Sequence, residues 1–250
     1  HEIIHDLREI KTEKVCAQVN ELVNLAHSEE INEVLLWDHS LYDIDYYPER
    51  FRTGPGGTID LDNTEFWEWL KDDYRQMLDR VSEADGLVLT FIETGAYAER
   101  QFSKKMKSSE EKLAAVVNAI SDVLIGERKK KLYIRTFAYS EEEYKGTTGC
   151  IEYLKYDEVI LMMKETPHDF FLTHPDNYYI QKMDRPVIVE FDLGNEYSGQ
   201  GVVANTWPEH VMKRWNSYIH CPNVTGYVAR TDRYGNTSIV TLLMLSNCTP

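Results

Sequence analysis

The amino-acid sequence predicts an α/β fold of the (β/α)8-barrel type, and three observations support this prediction. Near-continuous apolar segments alternate with segments of helical periodicity, which is typical of a parallel sheet covered by helices on both faces. Acidic residues follow three of the apolar segments, as expected where barrel strands end at a common mouth. No glycine-rich phosphate-binding loop follows the first strand, which disfavours a dinucleotide-binding fold.

Length and charge limit the classes of function. The 250 residues suit one barrel or a large part of one, so we treat residues 1–250 as a single domain or a fragment of one. The 27 basic and 42 acidic residues give a net charge of −15, which argues against a nucleic-acid partner. No apolar run approaches the roughly 20 residues of a membrane-spanning helix. No signal-peptide pattern opens the chain, and the sequence assigns no compartment.

Hydrophobic periodicity and capping signals place the elements of the first half of the chain. Asn63 or Thr64 can cap a helix, because a short polar side chain there accepts a hydrogen bond from a free amide of the first turn. The elements predicted here are a helix over residues 12–27, a strand over 34–37, a long loop over 38–62, a helix from Asn63 or Thr64 to about Ser82, and a strand over 86–92.

The second half of the chain begins with a helix that has clear start and stop signals. Ser108-Ser-Glu-Glu111 matches a capping box, in which the serine and the glutamate each satisfy an amide at the helix start. Gly126 is expected to end this helix. The remaining elements predicted are strands over residues 131–138, 159–163, 186–191 and 224–229, and a helix that begins at Trp207.

Six strands are predicted up to residue 229, which is too few to close an eight-stranded barrel. We therefore expect the first two strands of the barrel to lie upstream of His1. Residues 237–242 are typical of one more strand, whereas residues 243–250 form an atypical tail without a helical or turn pattern. Our hypothesis for this tail is a frameshifted or interrupted gene. Because an incomplete barrel exposes strand edges, we also expect a homo-oligomer.

Three acidic residues are the candidate catalytic groups. Glu93, Asp169 and Glu196 each follow a predicted strand, and carboxylates at one barrel mouth suit general acid and base chemistry. The simplest reaction of this type is cleavage of a glycosidic bond. The competing interpretation of each residue is local structure, namely helix capping or an ion pair for Glu93, a turn for Asp169 and a loop acid for Glu196.

Two cations accompany the carboxylates. Arg135 and Lys164 lie in or at the end of apolar strands, where a charge is otherwise costly. Arg135 can present a bidentate fork and Lys164 a point charge to an anionic substrate such as a uronic acid. The alternative is that both cations neutralise the carboxylates of the site itself. Glu190 lies inside a strand and is interpreted as a structural or supporting residue.

The residues predict neither a metal nor a cofactor. His168 and His174 flank Asp169, but their spacing matches no zinc motif. The four cysteines are widely separated and include no Cys-x-x-Cys pair, which disfavours a structural zinc site. The sequence also lacks the Gly-x-Ser-x-Gly pattern of serine hydrolases.

Three segments of the chain resemble one family. They are Ile134-Arg-Thr-Phe-Ala-Tyr139, Val159-Ile-Leu-Met-Met-Lys-Glu-Thr-Pro-His-Asp-Phe170 and Asn195-Glu-Tyr-Ser-Gly-Gln200. In order and separation they resemble the Arg-x-Phe strand, the Lys-x-x-Pro-x-Asp-Phe turn and the Gln-Glu-Tyr-x-Gly-Gln segment of the bacterial and fungal α-glucuronidases of glycoside hydrolase family 67. The resemblance covers residues 86–200.

This resemblance implies an inverting hydrolase that removes α-linked glucuronic acid from hemicellulose-type oligosaccharides such as those of xylan. The implied roles are Glu93 as general acid, Asp169 and Glu196 as the carboxylates that activate water, and Arg135 and Lys164 as ligands of the uronate carboxylate. The sequence departs from the family pattern around Glu93 and at Asn195, which replaces a glutamine.

Two other functional classes remain open at this point. The first is a retaining glycosidase of another barrel family that acts on a neutral sugar, in which Arg135 does not contribute to substrate binding. The second is a protein without catalytic activity, either a truncated barrel or a carbohydrate-binding remnant.

Overall fold

The computed structural model describes residues 2–194, 196–197 and 207–231. Within these ranges it contains five α-helices and six β-strands. In chain order they are α1 (Glu2–Ser28), β1 (Leu35–His39), α2 (Thr64–Arg80), β2 (Gly86–Thr90), α3 (Ser109–Ser121), β3 (Lys131–Arg135), α4 (Glu141–Gly149), β4 (Ile160–Lys164), β5 (Val187–Asp192), α5 (Pro208–Tyr218) and β6 (Val224–Arg230).

All six strands form one parallel sheet in the order β1-β2-β3-β4-β5-β6. Each connection therefore moves the chain one strand onward in the same direction. This is the winding of a (β/α)8 barrel, whereas a doubly wound sheet reverses direction at a switch point. The predicted fold class is confirmed, with six strands of such a barrel in the described part of the chain.

Side chains alternate between the two faces of the strands, and the alternation separates two apolar clusters. The larger cluster lies between the sheet and the helices and includes Leu89, Ile134 and Phe191. The smaller cluster lies on the opposite, inner face and contains Val88, Tyr133 and Met162. Towards the carboxyl ends of β2, β3 and β4, the side chains on this inner face are polar.

Local signals explain why the helices begin where they do. The Asn63 side chain accepts a hydrogen bond from the amide of Glu65 (3.0 Å) and caps α2. Ser108 and Glu111 form the predicted capping box at the start of α3. The side chains of α2 that face the sheet are spaced four residues apart, which gives the helix one continuous buried stripe: Phe66, Leu70, Tyr74 and Leu78.

Helix α4 was not predicted from the sequence. Its segment, Glu141–Gly149, contains two glycines and two threonines, which are poor helix formers, and no long apolar stripe. The helix is stabilised instead by its N-cap and by one buried side chain. Ser140 accepts a hydrogen bond from the amide of Glu143 (3.2 Å), and the Tyr144 ring is buried. Capping and tertiary packing therefore outweigh the weak intrinsic propensity.

Other differences concern boundaries. Strand β2 ends at Thr90 and β3 at Arg135, earlier than the predicted ends at residues 92 and 138. Glu93 consequently lies in the loop that follows β2 rather than directly at a strand end. The predicted strand over residues 237–242 and the atypical tail over 243–250 lie outside the described residues. None of the described helices is both long enough and apolar enough to cross a membrane.

The capping box of α3 gives a direct test of this account. We expect Ser108→Ala to lower the free energy of unfolding by about 1 kcal/mol, because the amide of Glu111 then lacks its acceptor. Urea denaturation of the variant measures the loss. Ser109→Ala is the matched control, since Ser109 is already inside the helix and does not serve as its cap. Equal losses in both variants would contradict the capping role.

Candidate functional site

The inner face of the sheet changes from apolar to charged at the carboxyl ends of the strands. These ends surround a cavity of about 670 Å³. Its polar walls are formed by His39, Glu93, Arg135, Tyr139, Lys164, Asp169, Glu190, Glu196, Tyr197 and Arg230. All five residues predicted from the sequence thus line one cavity, at the mouth where barrel enzymes carry out their chemistry.

The most buried contact in the cavity is an ion pair between Arg135 and Glu190. Nε and Nη2 of Arg135 each donate to one carboxylate oxygen of Glu190, both at 2.7 Å. Arg135 is 8% exposed and Glu190 is 3% exposed. The guanidinium also lies over the ring of Trp37, 5.1 Å from its centroid. This bidentate geometry directs two donors of Arg135 to a carboxylate of the protein, as in the alternative in which the cation neutralises the site itself.

A second buried pair joins Lys164 to Asp169. Nζ of Lys164 donates to Oδ1 of Asp169 at 2.6 Å, and the Tyr197 hydroxyl donates to Oδ2. Nζ also lies 3.4 Å from the ring centroid of Phe137 and 4.1 Å from that of Phe170. The amine is therefore enclosed by one carboxylate and two aromatic faces, and its residue is only 4% exposed.

This enclosure shifts the pKa of both Lys164 and Asp169. Burial is the largest influence on Lys164 and lowers its pKa, helped by the nearby charge of Arg135 and opposed by Glu190 and Asp169. Burial alone would raise the pKa of Asp169, but hydrogen bonds from Lys164 and Tyr197 outweigh it and lower that pKa. The site thus favours a carboxylate beside an amine that loses its proton more easily than an ordinary lysine.

Glu93 is more open to solvent than the two buried ion pairs. Its side chain is 53% exposed, accepts a hydrogen bond from the Tyr139 hydroxyl at 3.0 Å and lies 3.9 Å from Nε2 of His39. Burial and the charge of Glu93 raise the pKa of Tyr139 to about 12, so this hydroxyl stays protonated. Glu93 itself has φ of 60°, in the left-handed region that non-glycine residues rarely occupy.

Glu196 is placed by the turn after β5. Asp192 accepts hydrogen bonds from the amides of Gly194 (3.0 Å) and Glu196 (2.7 Å), which holds the backbone of this turn. The Glu196 carboxylate then forms an ion pair with Arg230 at the end of β6. The sequence prediction placed Glu196 at the mouth but did not identify Arg230 as its partner.

The loop between β4 and β5, which carries Asp169, is anchored from below by Asn177 and Arg214. The side-chain amide of Asn177 donates to the backbone carbonyl of Lys164 at 2.9 Å. Arg214 of α5 donates to the carbonyls of Leu172 (3.4 Å) and Pro175 (3.2 Å). These hydrogen bonds hold the middle of the loop against the end of β4 and against α5, on the C-terminal side of Asp169.

Glu165 lies beneath the same loop. Nε of Arg214 is 3.2 Å from Oε2 of Glu165 but gives its hydrogen to Nε2 of His210 at 2.8 Å, so the carboxylate has a nearby cation without an aligned hydrogen bond. Burial raises the pKa of Glu165 to about 7, although the charge of Arg214 opposes the shift. Nothing in the sequence pattern signals this titration near neutral pH.

The sequence predictions missed several residues of the cavity. Tyr139 and Tyr197 donate hydrogen bonds to the two predicted carboxylates, Glu93 and Asp169. Glu190, interpreted from the sequence as a structural or supporting residue, pairs in register with Lys164 on the neighbouring strand and shares its face. Among the described residues, no group of three or more histidine, cysteine or acidic side chains is arranged to hold a metal ion.

Comparisons with known proteins provide little further identification. No protein-family model matches the chain, and no curated protein matches it. One solved structure that it resembles is N-acetylneuraminate lyase from Mycoplasma synoviae, with a TM-score of 0.45 and 13% sequence identity. The match covers 84% of this chain and 58% of that protein, so the chain spans little more than half the length of the lyase.

These comparisons overturn the assignment made from the sequence. The chain is not supported as a member of glycoside hydrolase family 67 by any family model, and the similar solved structure is a lyase rather than a glycosidase. The predicted α-glucuronidase activity on xylan-type oligosaccharides was therefore wrong, and so was its wider identification as a glycosidase. The physical reason lies in the cations, because Arg135 and Lys164 already bind Glu190 and Asp169.

The Arg135–Glu190 pair can be tested as a structural element. We expect Arg135→Met or Glu190→Leu alone to lower the free energy of unfolding by about 3–5 kcal/mol, because each leaves an unpaired buried charge. The double variant should lose less than either single variant, since both charges are then gone. Urea denaturation of the three proteins measures this, and strictly additive losses would contradict the pairing.

Glu165 should make stability depend on pH near neutrality. Its pKa is raised from 4.5 to about 7 on folding, so the folded state binds more protons than the unfolded state between these values. This contribution to stability is fully present below pH 4.5 and is lost as the pH rises towards about 7, by up to about 3 kcal/mol. Glu165→Gln should remove this component in urea denaturation at several pH values. An unchanged pH dependence in the variant would exclude Glu165 as its source.

Proposed function

We propose that this chain is an enzyme in which Lys164 forms an imine with the carbonyl carbon of a small substrate, as in lyases and aldolases that cleave or form carbon–carbon bonds. The observation that carries this proposal is the buried amine of Lys164, which lies on the inner face at a strand end, lines the mouth cavity and has a lowered pKa. An amine attacks a carbonyl only when it is neutral, and enzymes obtain neutral lysines through burial and a neighbouring cation.

Asp169 supports the proton transfers that such a reaction needs. When Nζ adds to the carbonyl carbon, the amine gives up a proton, and Oδ1 of Asp169 lies 2.6 Å away to accept it. Loss of the carbinolamine hydroxyl as water then requires a proton in return, which the same carboxyl group can supply. Tyr197 holds Asp169 in position through its other oxygen.

Glu93 is suited to the second half of the reaction. Once the imine has formed and been protonated, its C=N bond can accept the electron pair of the carbon–carbon bond that breaks. The substrate hydroxyl on the departing fragment must lose a proton at that point, and Glu93 offers an exposed carboxylate in the wall of the same cavity. Tyr139 stays protonated and donates to Glu93, which orients this base.

The alternative for Lys164 is a purely structural ion pair. Its contact with Asp169 and with the faces of Phe137 and Phe170 is also the geometry expected of a charged amine that never reacts. The two interpretations differ in one measurable property, because only a reactive lysine is trapped by reduction in the presence of a carbonyl compound.

Reductive trapping tests the proposal. We expect borohydride and a panel of small aldehydes, ketones and 2-oxo acids to label Lys164 selectively, as identified by peptide mass spectrometry. Lys164→Arg should abolish this label, whereas Lys145→Arg is the matched control at an exposed lysine outside the cavity. Labelling that follows surface exposure, with Lys145 modified more readily than Lys164, would refute the proposal.

The pH dependence of trapping gives an independent check. Because the pKa of Lys164 is lowered from 10.5, its neutral fraction should rise with pH earlier than that of the exposed lysines. Asp169→Asn should slow trapping by about tenfold or more, since the amine loses its proton acceptor. If Lys164 instead reacts with the same midpoint as Lys145, its burial does not activate the amine.

A further inference from the structure

A second cavity, of about 480 Å³, lies on the outer side of β1, between α1, α2 and the segment that follows β1. Trp37 and His39 line both this cavity and the mouth, so the two spaces meet across β1. The remaining walls of the second cavity are not part of the site described above. They include aliphatic side chains together with several tyrosines and two aspartates. We refer to the space enclosed by Tyr42, Tyr46, Tyr47, Asp38 and Asp73 as the tyrosine box.

The rings of the tyrosine box stand at right angles to one another. The Tyr42 and Tyr46 planes meet at 85° with ring centroids 6.1 Å apart, and those of Tyr46 and Tyr47 meet at 89° at 5.4 Å. Perpendicular rings present faces and edges around a common space rather than a flat stack. Tyr42 and Tyr46 are about half exposed, so part of each residue is accessible to a ligand, while Trp69 packs against the Tyr46 ring from another side. Aromatic faces attract cations because of their negative quadrupole.

Two carboxylates supply negative charge to the same space. Asp38 accepts a hydrogen bond from the Tyr74 hydroxyl at 2.6 Å, and both oxygens of Asp73 accept from Tyr46 at 2.8 and 2.9 Å. Burial raises the pKa of both groups, and the charge of Asp38 adds to the shift of Asp73. Neighbouring anions that repel each other in a partly buried cavity favour a cation between them.

The charge of His39 opposes that of Asp38, but Nε2 of His39 also lies 3.9 Å from Glu93, and within the described residues it forms no salt bridge with Asp38 or Asp73. Arg80 lines the cavity, but no arginine or lysine of the described residues forms a salt bridge with Asp38 or Asp73. A divalent metal fits poorly, because phenol hydroxyls already occupy the carboxylate oxygens and no metal-binding group is present in the described residues. Ring faces and hydrogen-bonded carboxylates together suit a weakly hydrated cation.

We infer that the tyrosine box binds a small organic ammonium ion, of the methylated type represented by choline. The ring faces would contact the methyl groups and the carboxylates would supply the opposing charge. This inference concerns a site separate from Lys164, and it stands whether or not imine formation occurs, because binding is measured without turnover.

Choline and its carbon isostere, the neutral alcohol in which a carbon atom replaces the quaternary nitrogen, distinguish charge from shape. We expect choline to bind at least about tenfold more tightly than the isostere, as measured by isothermal titration calorimetry on the unmodified protein. Cys16 lines the cavity and provides a local reporter. Choline should slow its alkylation but not that of Cys221, an internal control that lies outside the cavity.

Matched variants assign the effect to the box. Tyr46→Leu removes a ring face and Asp73→Asn removes a charge, and each should weaken choline binding by about tenfold. Tyr46→Phe keeps the ring and should retain most of the affinity. Equal affinity for choline and the isostere, or no protection of Cys16 by choline, would overturn the inference. If a variant fails to fold by circular dichroism, the comparison of the two ligands on the unmodified protein decides alone.

Discussion

The bidentate ion pair between Arg135 and Glu190 is the constraint on which the arrangement of the mouth depends. It spans β3 and β5 and passes across β4, so it links the carboxyl ends of three strands on the inner face. A buried charge without its partner destabilises the fold, and substitution of either residue would leave the other charge buried and unpaired. The surrounding charges follow from this pair, because the guanidinium of Arg135 also influences the amine of Lys164.

Other charged side chains at the mouth are also paired with an opposite charge. Lys164 is matched by Asp169 and Glu196 by Arg230, and each pair joins a strand end to a loop or to the next strand. Loops above a parallel sheet tolerate such charges only when other groups hold their backbone in place. Asn177 and Arg214 do so here by hydrogen bonding to loop carbonyls. Precise pairing at the mouth thus depends on side chains well below it.

Much of the fold could be predicted from the sequence because burial on both sheet faces leaves a strong apolar pattern in each strand. The convergence of Glu93, Asp169 and Glu196 also follows from strand order alone, since parallel strands end at one edge. The pairing of Arg135 with Glu190 could not be predicted, because it joins strands separated by another and depends on side-chain geometry. The wrong family assignment has a related cause: three short segments with similar residues after barrel strands do not specify a reaction, because unrelated activities share this fold.

Helix α4 and the tyrosine partners of the carboxylates show a second limit. Tyr139 and Tyr197 lie in loops, where no periodicity indicates the direction of a side chain. The residues of α4 have low intrinsic propensity, and the helix exists because Ser140 caps it and Tyr144 packs into the core. The tyrosine contacts and the packing of Tyr144 depend on residues distant along the chain, which local pattern does not indicate. The Ser140 cap is local, and the sequence Ser140-Glu-Glu-Glu143 carries a signal for it that the sequence prediction did not use.

The left-handed backbone conformation at Glu93 affects which amino acid is most stable at that position. A non-glycine residue at φ of 60° costs roughly 1 kcal/mol, and glycine at the same position would be free of that cost. Selection for stability alone would therefore favour glycine at position 93. The glutamate found there places a carboxylate in the cavity wall. Under the proposed reaction this position would be a stability–activity trade-off.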